Sequence, residues 1–353
     1  MIPTIDIAPL FGGSGPTRAV ADAAVLNAAH EIGFMAISGL PGDVLSADRR
    51  RAMLAIFALP ESKKREMSRR SFVPGNPNVY RGWFPLQEGH PTYKEGIDLG
   101  PDLVRVVAHD AEDPLTEPTP LPTEEDLPGW RRTAAEYYRA MESVGAVLMR
   151  SLARGLGLAE TRFDAAFADG ISSLRLIRYP PRDPRTLDPA FRVGDGCMLG
   201  APHVDSGFVT LLAQDGVAGL EVEDRTGRWI GVPPQEGTLV VNFGKLLERW
   251  TGGRVKATRH RVIGSGAERF SVPFFYEPAV DTVIAPLGLG DDFAPVTYGD
   301  HLWEATTKFI EQKGIAHLRR PRGIRFDQAG PAAEGSDLYS TASRRFSQRP
   351  TAR

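Results

Sequence analysis

The pattern of apolar and polar residues divides the chain into a largely helical first half and a second half of short strands. Apolar residues recur every three or four positions through residues 129–156, which predicts the longest helix. Alanine-rich or amphipathic stretches at 17–31 and 45–57 predict two further helices. Apolar runs at 3–10 and 33–37, each followed by glycine, predict short strands.

The character of the chain changes at Leu174. From there on, turn signals such as Asp215-Gly216 and Gly252-Gly253 separate short apolar runs, as expected of consecutive strands. The predicted strands cover residues 174–177, 208–212, 220–222, 229–232, 238–243, 259–262 and 270–275. Many short strands at regular spacing indicate a barrel or a double-sheet jelly roll. We therefore expect a mainly β protein in which a helical N-terminal region flanks a β-rich core.

Composition and charge limit which partners and which cellular compartment we expect for the protein. The chain has 353 residues, a formal net charge of −2 and no basic block, so nucleic-acid binding through bulk electrostatics is not expected. It has no run of about 18 apolar residues and no signal-peptide pattern at its start, so we expect neither a membrane span nor secretion. Cys197 is the only cysteine, which excludes an intramolecular disulfide and favours a reducing cytoplasm.

Three residues form a candidate metal site. His203 and Asp205 lie two apart, and residues two apart on a strand point to the same face. His260 follows far enough downstream to come from another strand of a small barrel. Two imidazoles with one carboxylate are the ligand set of a non-haem Fe(II) oxygenase, which leaves positions open for O2 and a chelating co-substrate. We interpret the other histidines as structural or surface residues, at positions 30, 90, 109, 301 and 317.

Arg269 and Ser271 form a second candidate site because strand alternation places them on one face. A guanidinium offers a planar fork to a carboxylate, and a hydroxyl can donate a further hydrogen bond. The apolar neighbours Phe270, Val272 and Phe274 predict a buried strand, and a buried arginine needs an anionic partner. A small dicarboxylate co-substrate is one candidate partner, and a surface salt bridge is the alternative.

These residues resemble those of a known family, the Fe(II)/2-oxoglutarate-dependent dioxygenases, in the isopenicillin N synthase-like branch. The resemblance covers most of the chain and depends on the joint order and spacing of several motifs. In the N-terminal part these are Ile2-Pro3-Thr4-Ile5-Asp6, Gly33-Phe34-Met35-Ala36-Ile37, Arg81-Gly82-Trp83-Phe84-Pro85 and Lys94-Glu95-Gly96-Ile97-Asp98. In the second half they are Arg178-Tyr179-Pro180-Pro181, His203-Val204-Asp205, Leu211-Leu212-Ala213-Gln214-Asp215, Arg259-His260-Arg261-Val262 and Arg269-Phe270-Ser271-Val272-Pro273-Phe274.

The resemblance implies a double-stranded β-helix (jelly-roll, cupin-like) core and a role for each matching residue. The implied Fe(II) ligands are His203, Asp205 and His260. The implied contacts to the distal carboxylate of 2-oxoglutarate are Arg269, Ser271 and Tyr179. Ile177 stands where many members carry asparagine, so we expect fewer co-substrate contacts from that strand.

The resemblance also implies four regions along the chain. An N-terminal non-haem dioxygenase region covers 1–120, and a long connecting helix lies within 121–170. The β-helix core covers 171–285. The last region, 286–353, is expected to hold a C-terminal helix and a mobile tail or lid.

The implied reaction oxidises an unactivated C–H bond of a small molecule with O2, while 2-oxoglutarate is cleaved to succinate and CO2. Ascorbate is a candidate reductant, and hydroxylation, desaturation and ring closure stay open as outcomes. An iron oxidase of the same branch that needs no 2-oxoglutarate is one alternative, although Tyr179 with Arg269 favours the co-substrate. A Zn hydrolase would need a general base beside His203, where the sequence offers no obvious one. A non-catalytic binding module fits poorly with intact ligands.

The sequence says less about the substrate. In relatives, the segment matching 78–83 approaches the mouth of the site, so Tyr80 and Arg81 are candidate substrate contacts, with a structural role as the alternative. Arg175, on a core strand, could bind an acidic group or pair with a nearby aspartate. The lack of a charged patch favours a small molecule, such as an amino-acid derivative or a specialised metabolite. The sequence does not predict an oligomeric state.

Overall fold

The computed structural model describes residues 2–87, 92–289 and 292–323. Two β-sheets form the centre of this part of the chain, and helices flank them. The α-helices are α1 (Pro16–Glu31), α2 (Ala47–Leu54), α3 (Glu61–Glu66), α4 (Trp130–Gly155), α5 (Asp164–Phe167), α6 (Lys245–Trp250) and α7 (Tyr298–Thr306). In the described residues, no helix is both long and apolar enough to cross a membrane.

The strands are short, as their spacing along the chain predicted. They are β1 (Thr4–Asp6), β2 (Phe34–Ser38), β3 (Gly82–Phe84), β4 (Glu95–Leu99), β5 (Ser173–Tyr179), β6 (Arg192–Val193), β7 (Gly196–His203), β8 (Val209–Gln214), β9 (Leu220–Glu223), β10 (Trp229–Gly231), β11 (Leu239–Phe243), β12 (His260–Gly264), β13 (Arg269–Tyr276), β14 (Val283–Ile284) and β15 (Val296–Thr297). The major sheet has the order β1-β2-β11-β8-β13-β5-β4-β3, and the minor sheet has the order β10-β9-β12-β7-β6. The pair β14 and β15 stands apart from both sheets.

The two sheets face each other across an inner space. Phe34 and Val240 of the major sheet pack in one apolar cluster with Val222 of the minor sheet. A second cluster joins Tyr179 of the major sheet to Leu199 of the minor sheet. Because side chains alternate along a strand, the opposite face of the major sheet turns toward the helices, and the largest apolar core forms there.

Helix α4 packs against that helix-facing side, over β13 and β8. Apolar residues at three- and four-residue steps give it a buried stripe, as its sequence predicted. Gly145 lies in this stripe, next to Tyr276 of β13. A Cβ atom on Gly145 would overlap the ring of Tyr276, so only glycine fits without a shift of the helix or the ring.

The main difference from the sequence predictions is strand β7, which was not predicted because no apolar run indicated it. Its sequence contains Gly196, Gly200 and Pro202, residues that are unfavourable inside a strand. The strand ends at His203, so Asp205 lies in the loop that follows and not on the same strand. The predicted C-terminal helix corresponds to α7, and the tail expected to be mobile lies outside the described residues beyond 323.

Candidate metal centre and co-substrate site

Two neighbouring strands bring the three predicted metal ligands together. His203 ends β7, His260 begins β12, and the two residues face each other as partners in the antiparallel pair. Their Nε2 atoms lie 3.5 and 3.7 Å from Oδ1 of Asp205. One ligand atom from each residue can be chosen so that all three lie within 4.8 Å of one another. The arrangement therefore presents two nitrogens and one oxygen to a single point.

Backbone carbonyls orient both imidazoles. Nδ1 of His203 lies 2.8 Å from the oxygen of Ala201, and Nδ1 of His260 lies 3.1 Å from the oxygen of Thr258. A carbonyl only accepts, so Nδ1 carries the proton in each ring and Nε2 keeps its lone pair for a metal. Burial, together with repulsion from His203, lowers the pKa of His260 to about 4, which keeps that ring neutral near pH 7.

Two polar side chains of the major sheet hold the carboxylate of Asp205. Oδ2 accepts hydrogen bonds from Oγ1 of Thr210 at 2.5 Å and from Nδ2 of Asn242 at 2.7 Å. Oδ1 is thereby left facing the two imidazoles. Burial alone would raise the pKa of Asp205, but His260, His203 and the Thr210 hydroxyl more than offset it, and the pKa lies well below its usual value. The aspartate is ionised, and a carboxylate must be ionised to bind a metal ion.

Thr210 and Asn242 were not predicted from the sequence as parts of the site. Both lie in segments that were predicted as strands, at 208–212 and 238–243. Thr210 and Asn242 are cross-strand partners on β8 and β11. A polar residue at an inward position of an otherwise apolar strand is the signal that could have found them.

The loop that carries Asp205 is fixed against the start of α6 and against β13. The backbone N–H of Lys245 donates to the carbonyl of Asp205 at 2.8 Å. A Cβ atom on Gly207 would overlap the carboxyl group of Glu277, which follows β13 directly. The loop can approach this carboxyl group so closely only because position 207 has no side chain.

Arg269 is the most unusual residue of the inner space. It is 1% exposed, and none of its three guanidinium nitrogens has a hydrogen-bond partner among the described residues. Its carbon Cζ lies 5.4 Å from the centre of the Tyr179 ring, and Tyr179 is its cross-strand partner on β5. An unpaired buried guanidinium is costly, so the site fits an anionic ligand that supplies the missing acceptors.

The other predicted co-substrate contacts lie around Arg269. Ser271 is buried on β13, two residues along the same face. It pairs with Ile177 on one side and with Gln214 on the other. Ile177 packs in the same apolar cluster as Tyr179, so that strand adds an apolar wall and no amide at this position.

Tyr80 and Arg81 are buried, and their backbone is held in place. Glu117 accepts hydrogen bonds from the N–H groups of Val79, Tyr80 and Arg81, the first two at 3.0 and 2.7 Å. The ring of Tyr80 packs near Trp303 at 6.2 Å between centres. Burial raises the pKa of Tyr80 to about 12.

Arg175, the third candidate substrate contact, is paired with an aspartate. Its Nε and Nη2 donate to the two carboxylate oxygens of Asp98 at 2.5 and 2.8 Å. None of the other described histidines belongs to the three-residue cluster: His301 contacts the carbonyl of Ser206, next to Asp205, at 2.9 Å, and His30 contacts that of Arg254. His90 lies outside the described residues.

Comparison with known proteins decides the family. A model of the 2OG-Fe(II) oxygenase superfamily matches residues 171–278, and a model described as the non-haem dioxygenase in morphine synthesis N-terminal matches residues 2–124. Isopenicillin N synthase of Streptomyces clavuligerus is 32% identical over 327 residues, which cover 89% of this chain and 97% of that protein. The chain belongs to the 2OG-Fe(II) oxygenase superfamily. The predicted family and enzyme class are thereby confirmed.

Other members of the superfamily agree with this assignment. The 2-oxoglutarate-Fe(II) type oxidoreductase hxnY of Emericella nidulans is 30% identical, with 89% of this chain and 95% of that protein covered. Among solved structures, a full-length protein of Neurospora crassa in complex with α-ketoglutarate superposes with a TM-score of 0.75 at 25% identity, covering 87% of this chain and 96% of that one. The double-stranded β-helix fold is confirmed, and the enzyme is a dioxygenase whose cofactors are Fe(II) and 2-oxoglutarate, with O2.

Proposed function

We propose that His203, Asp205 and His260 hold Fe(II) in this enzyme, and that Arg269, Ser271 and Tyr179 hold 2-oxoglutarate. The buried guanidinium of Arg269, with no acceptor among the described residues, carries the proposal. It shares the inner face of the major sheet with Thr210, which binds Asp205. The bound metal and co-substrate together supply O2 activation. The protein's own residues orient the ligands, bind the distal carboxylate and keep the site dry.

The same geometry favours 2-oxoglutarate over a 2-oxoglutarate-independent oxidase of the same branch, although such oxidases can also carry an Arg-x-Ser pair. In an oxidase the anion beside Arg269 would have to come from the substrate, so succinate release under turnover separates the two. A Zn hydrolase would need a general base next to the metal. The groups closest to Asp205 are instead a hydroxyl and a carboxamide, Thr210 and Asn242. Neither is a base at neutral pH.

We further propose a small-molecule substrate. The structure of the Neurospora crassa protein with 5-formyluracil and that of JOX2 with 2OG, Fe and JA show related folds with small ligands bound. An amino-acid derivative or a specialised metabolite fits this size class. A reducing cytoplasm is the proposed compartment because the single cysteine, Cys197, is buried and unpaired. Cell fractionation of the native host would test the compartment.

The test of the co-substrate site is the substitution Arg269→Met. Anaerobic calorimetry on the iron-loaded protein should show a dissociation constant for 2-oxoglutarate at least about tenfold higher than in the wild type, because a charge-assisted fork is lost. Arg150→Met is the matched control, since Arg150 pairs with Asp164 at the surface. Unchanged affinity in Arg269→Met, or no 2-oxoglutarate binding by the wild type, would refute the proposal.

A further inference from the structure

A cluster of charged residues lies on the same inner face as the metal ligands, farther across the major sheet. Leu174 and Leu176 of β5 pack in the helix-facing core, whereas Ile177 and Tyr179 pack between the sheets. Arg175 lies between Leu174 and Leu176 in the sequence. Because side chains alternate along a strand, Arg175 points to the opposite face, into the inner space. Its charge is thus placed inside the β-helix and not on the outer surface.

The strand register connects this arginine to the metal centre. Thr210, which binds Asp205, is the cross-strand partner of Phe275 on β13. Cζ of Arg175, on the next strand, lies 5.8 Å from the centre of the Phe275 ring. Neighbouring strands are about 4.8 Å apart, and Arg175 lies two residues along β5 from Ser173, the partner of Phe275, so the backbones at Thr210 and Arg175 are roughly 12 Å apart. A molecule of one or two rings would span this distance.

The charges around Arg175 do not cancel. Arg175 and Arg69 both bind the carboxylate of Asp98, and Lys94 pairs with Glu311 at 2.7 Å beside them. Burial alone would raise the pKa of Asp98, but the two arginines lower it, so the carboxylate is ionised. Three cations face two anions, which leaves one positive charge in a largely buried cluster.

Arg175 is the most exposed member of the cluster, and Lys94, 17% exposed, is paired with Glu311. The side chain of Arg175 is 21% exposed, whereas those of Arg69 and Asp98 are 0% and 5% exposed. Nε and Nη2 donate to Asp98, and within the described ranges Nη1 donates to no acceptor. The rings of Phe84 and Phe275 lie 5.5 and 5.8 Å from the guanidinium carbon and fix its plane. The free edge is therefore a rigid donor next to an aromatic surface.

We propose that Arg175 binds a carboxylate of the substrate, with the flat apolar body of that substrate packed beside Phe275. The enzyme then acts on small organic acids, and Arg175 determines this specificity. The proposal rests on the proposed function, because it places the substrate between Arg175 and the iron ligands. The excess positive charge favours a carboxylate over a neutral carbonyl, and Asp98 keeps the fork in place without using all of its donors.

The test uses matched pairs of a carboxylic acid and its primary amide, since the two differ mainly in charge. Phenylacetate, 3-phenylpropanoate and 2-naphthylacetate are paired with their amides. Dissociation constants are measured anaerobically on the full chain loaded with Fe(II) and 2-oxoglutarate. In the wild type, at least one acid should bind about tenfold more tightly than its amide, the preference expected of a hydrogen bond to a charged group.

Two variants of Arg175 and one control isolate its contribution. Arg175→Gln should remove the preference for the acid, and Arg175→Lys, which keeps the charge near Asp98, should reduce it several-fold. Arg178→Gln should retain it, because Arg178 lies on the same strand but on the opposite face, paired with Glu95 and Glu268. Circular dichroism verifies folding. If Arg175→Gln does not fold, the result for Arg175→Lys decides.

The outcomes separate this inference from the proposed function. A wild type that binds iron and 2-oxoglutarate but prefers no acid over its amide would overturn the inference alone. If acid and amide bind equally and both are lost in Arg175→Gln, then Arg175 binds a neutral acceptor of the substrate. That result would overturn the proposed contact with a carboxylate. A preference for the acid that survives in both Arg175 variants would also overturn it. A wild type that binds no 2-oxoglutarate would overturn the proposed function as well.

Discussion

Asp205 contributes the single negative charge of the candidate metal centre. Its carboxylate is held at one oxygen by Thr210 and Asn242, and the other oxygen points to the imidazoles. Such support keeps a ligand oriented before the ion arrives. The site is therefore built from residues of both sheets and from the loop that carries Asp205.

We expect Asp205→Ala and His203→Ala each to abolish stoichiometric iron binding and turnover while the fold is retained. Each removes one of three protein ligands, and neither side chain belongs to an apolar core. Metal analysis of the purified variants, with circular dichroism for the fold, provides the measurement. His30→Ala is the control, since His30 is exposed and contacts the carbonyl of Arg254. Full iron content in either ligand variant would contradict the assignment.

Helix α4 packs closely against strand β13 at Gly145. This close approach predicts whether an alanine at position 145 stabilises or destabilises the protein. Glycine to alanine inside a helix normally stabilises a protein by about 0.5–1 kcal/mol. Here the added Cβ would meet the ring of Tyr276, which is stacked on Phe167 at 4.6 Å and has little freedom to move.

Gly145→Ala should therefore lower the free energy of unfolding by about 1–3 kcal/mol, the usual cost of overpacking. Urea denaturation measures the difference. Ser143→Ala, at an exposed position of the same helix, should leave stability unchanged or slightly raised. A stabilising effect of Gly145→Ala would show that the helix can move away from the sheet at little cost.

The elements that the sequence predicted are those with a clear apolar period. Helices α1 and α4 and strands β8, β11 and β13 fall within one or two residues of their expected positions. Strand β7 was not predicted because it contains glycines and a proline, which are unfavourable inside strands, although it carries His203. The spacing of the histidines and Asp205 was enough to propose a metal site. The contacts of Asp205 with Thr210 and Asn242 depend on the register of the strands, which cannot be read from the sequence.

At the level of the whole molecule, N-terminal strands complete the major sheet at both ends. Strands β1 and β2 extend it beyond β11, and β3 and β4 extend it beyond β5. The predicted division at residue 120 therefore separates regions that share one sheet and one large core. Asp98 and Phe84, which surround Arg175, come from these N-terminal strands. The first hundred residues thus contribute to the proposed specificity as well as to stability.

The buried Glu277 makes the stability of the folded chain depend on pH. Burial, with a smaller contribution from the charge of Asp205, raises the pKa of Glu277 to about 8, from an ordinary value of about 4.5. Between these values the unfolded chain loses this proton while the folded chain keeps it. The folded state binds more protons, so the contribution of Glu277 to stability falls as pH rises from about 4.5 to 8.

Glu277→Gln should remove this dependence, because the amide resembles the protonated acid and does not ionise. In metal-free protein, the free energy of unfolding of Glu277→Gln minus that of the wild type should increase steadily from pH 5 to pH 8. Denaturation at several pH values measures this, with Glu236→Gln at an exposed position as the control. A constant difference across the range would mean that Glu277 is ionised in the folded protein.

The carbonyls that fix the two imidazoles have a consequence for metal choice in the cell. Because backbone carbonyls already orient both rings, the three proposed ligands present two nitrogens and one oxygen to any divalent transition metal that reaches them. Nickel, copper and zinc generally outcompete ferrous iron for such nitrogen and oxygen donors. Correct loading of the proposed site would therefore depend also on which free ions the host maintains around the newly made chain.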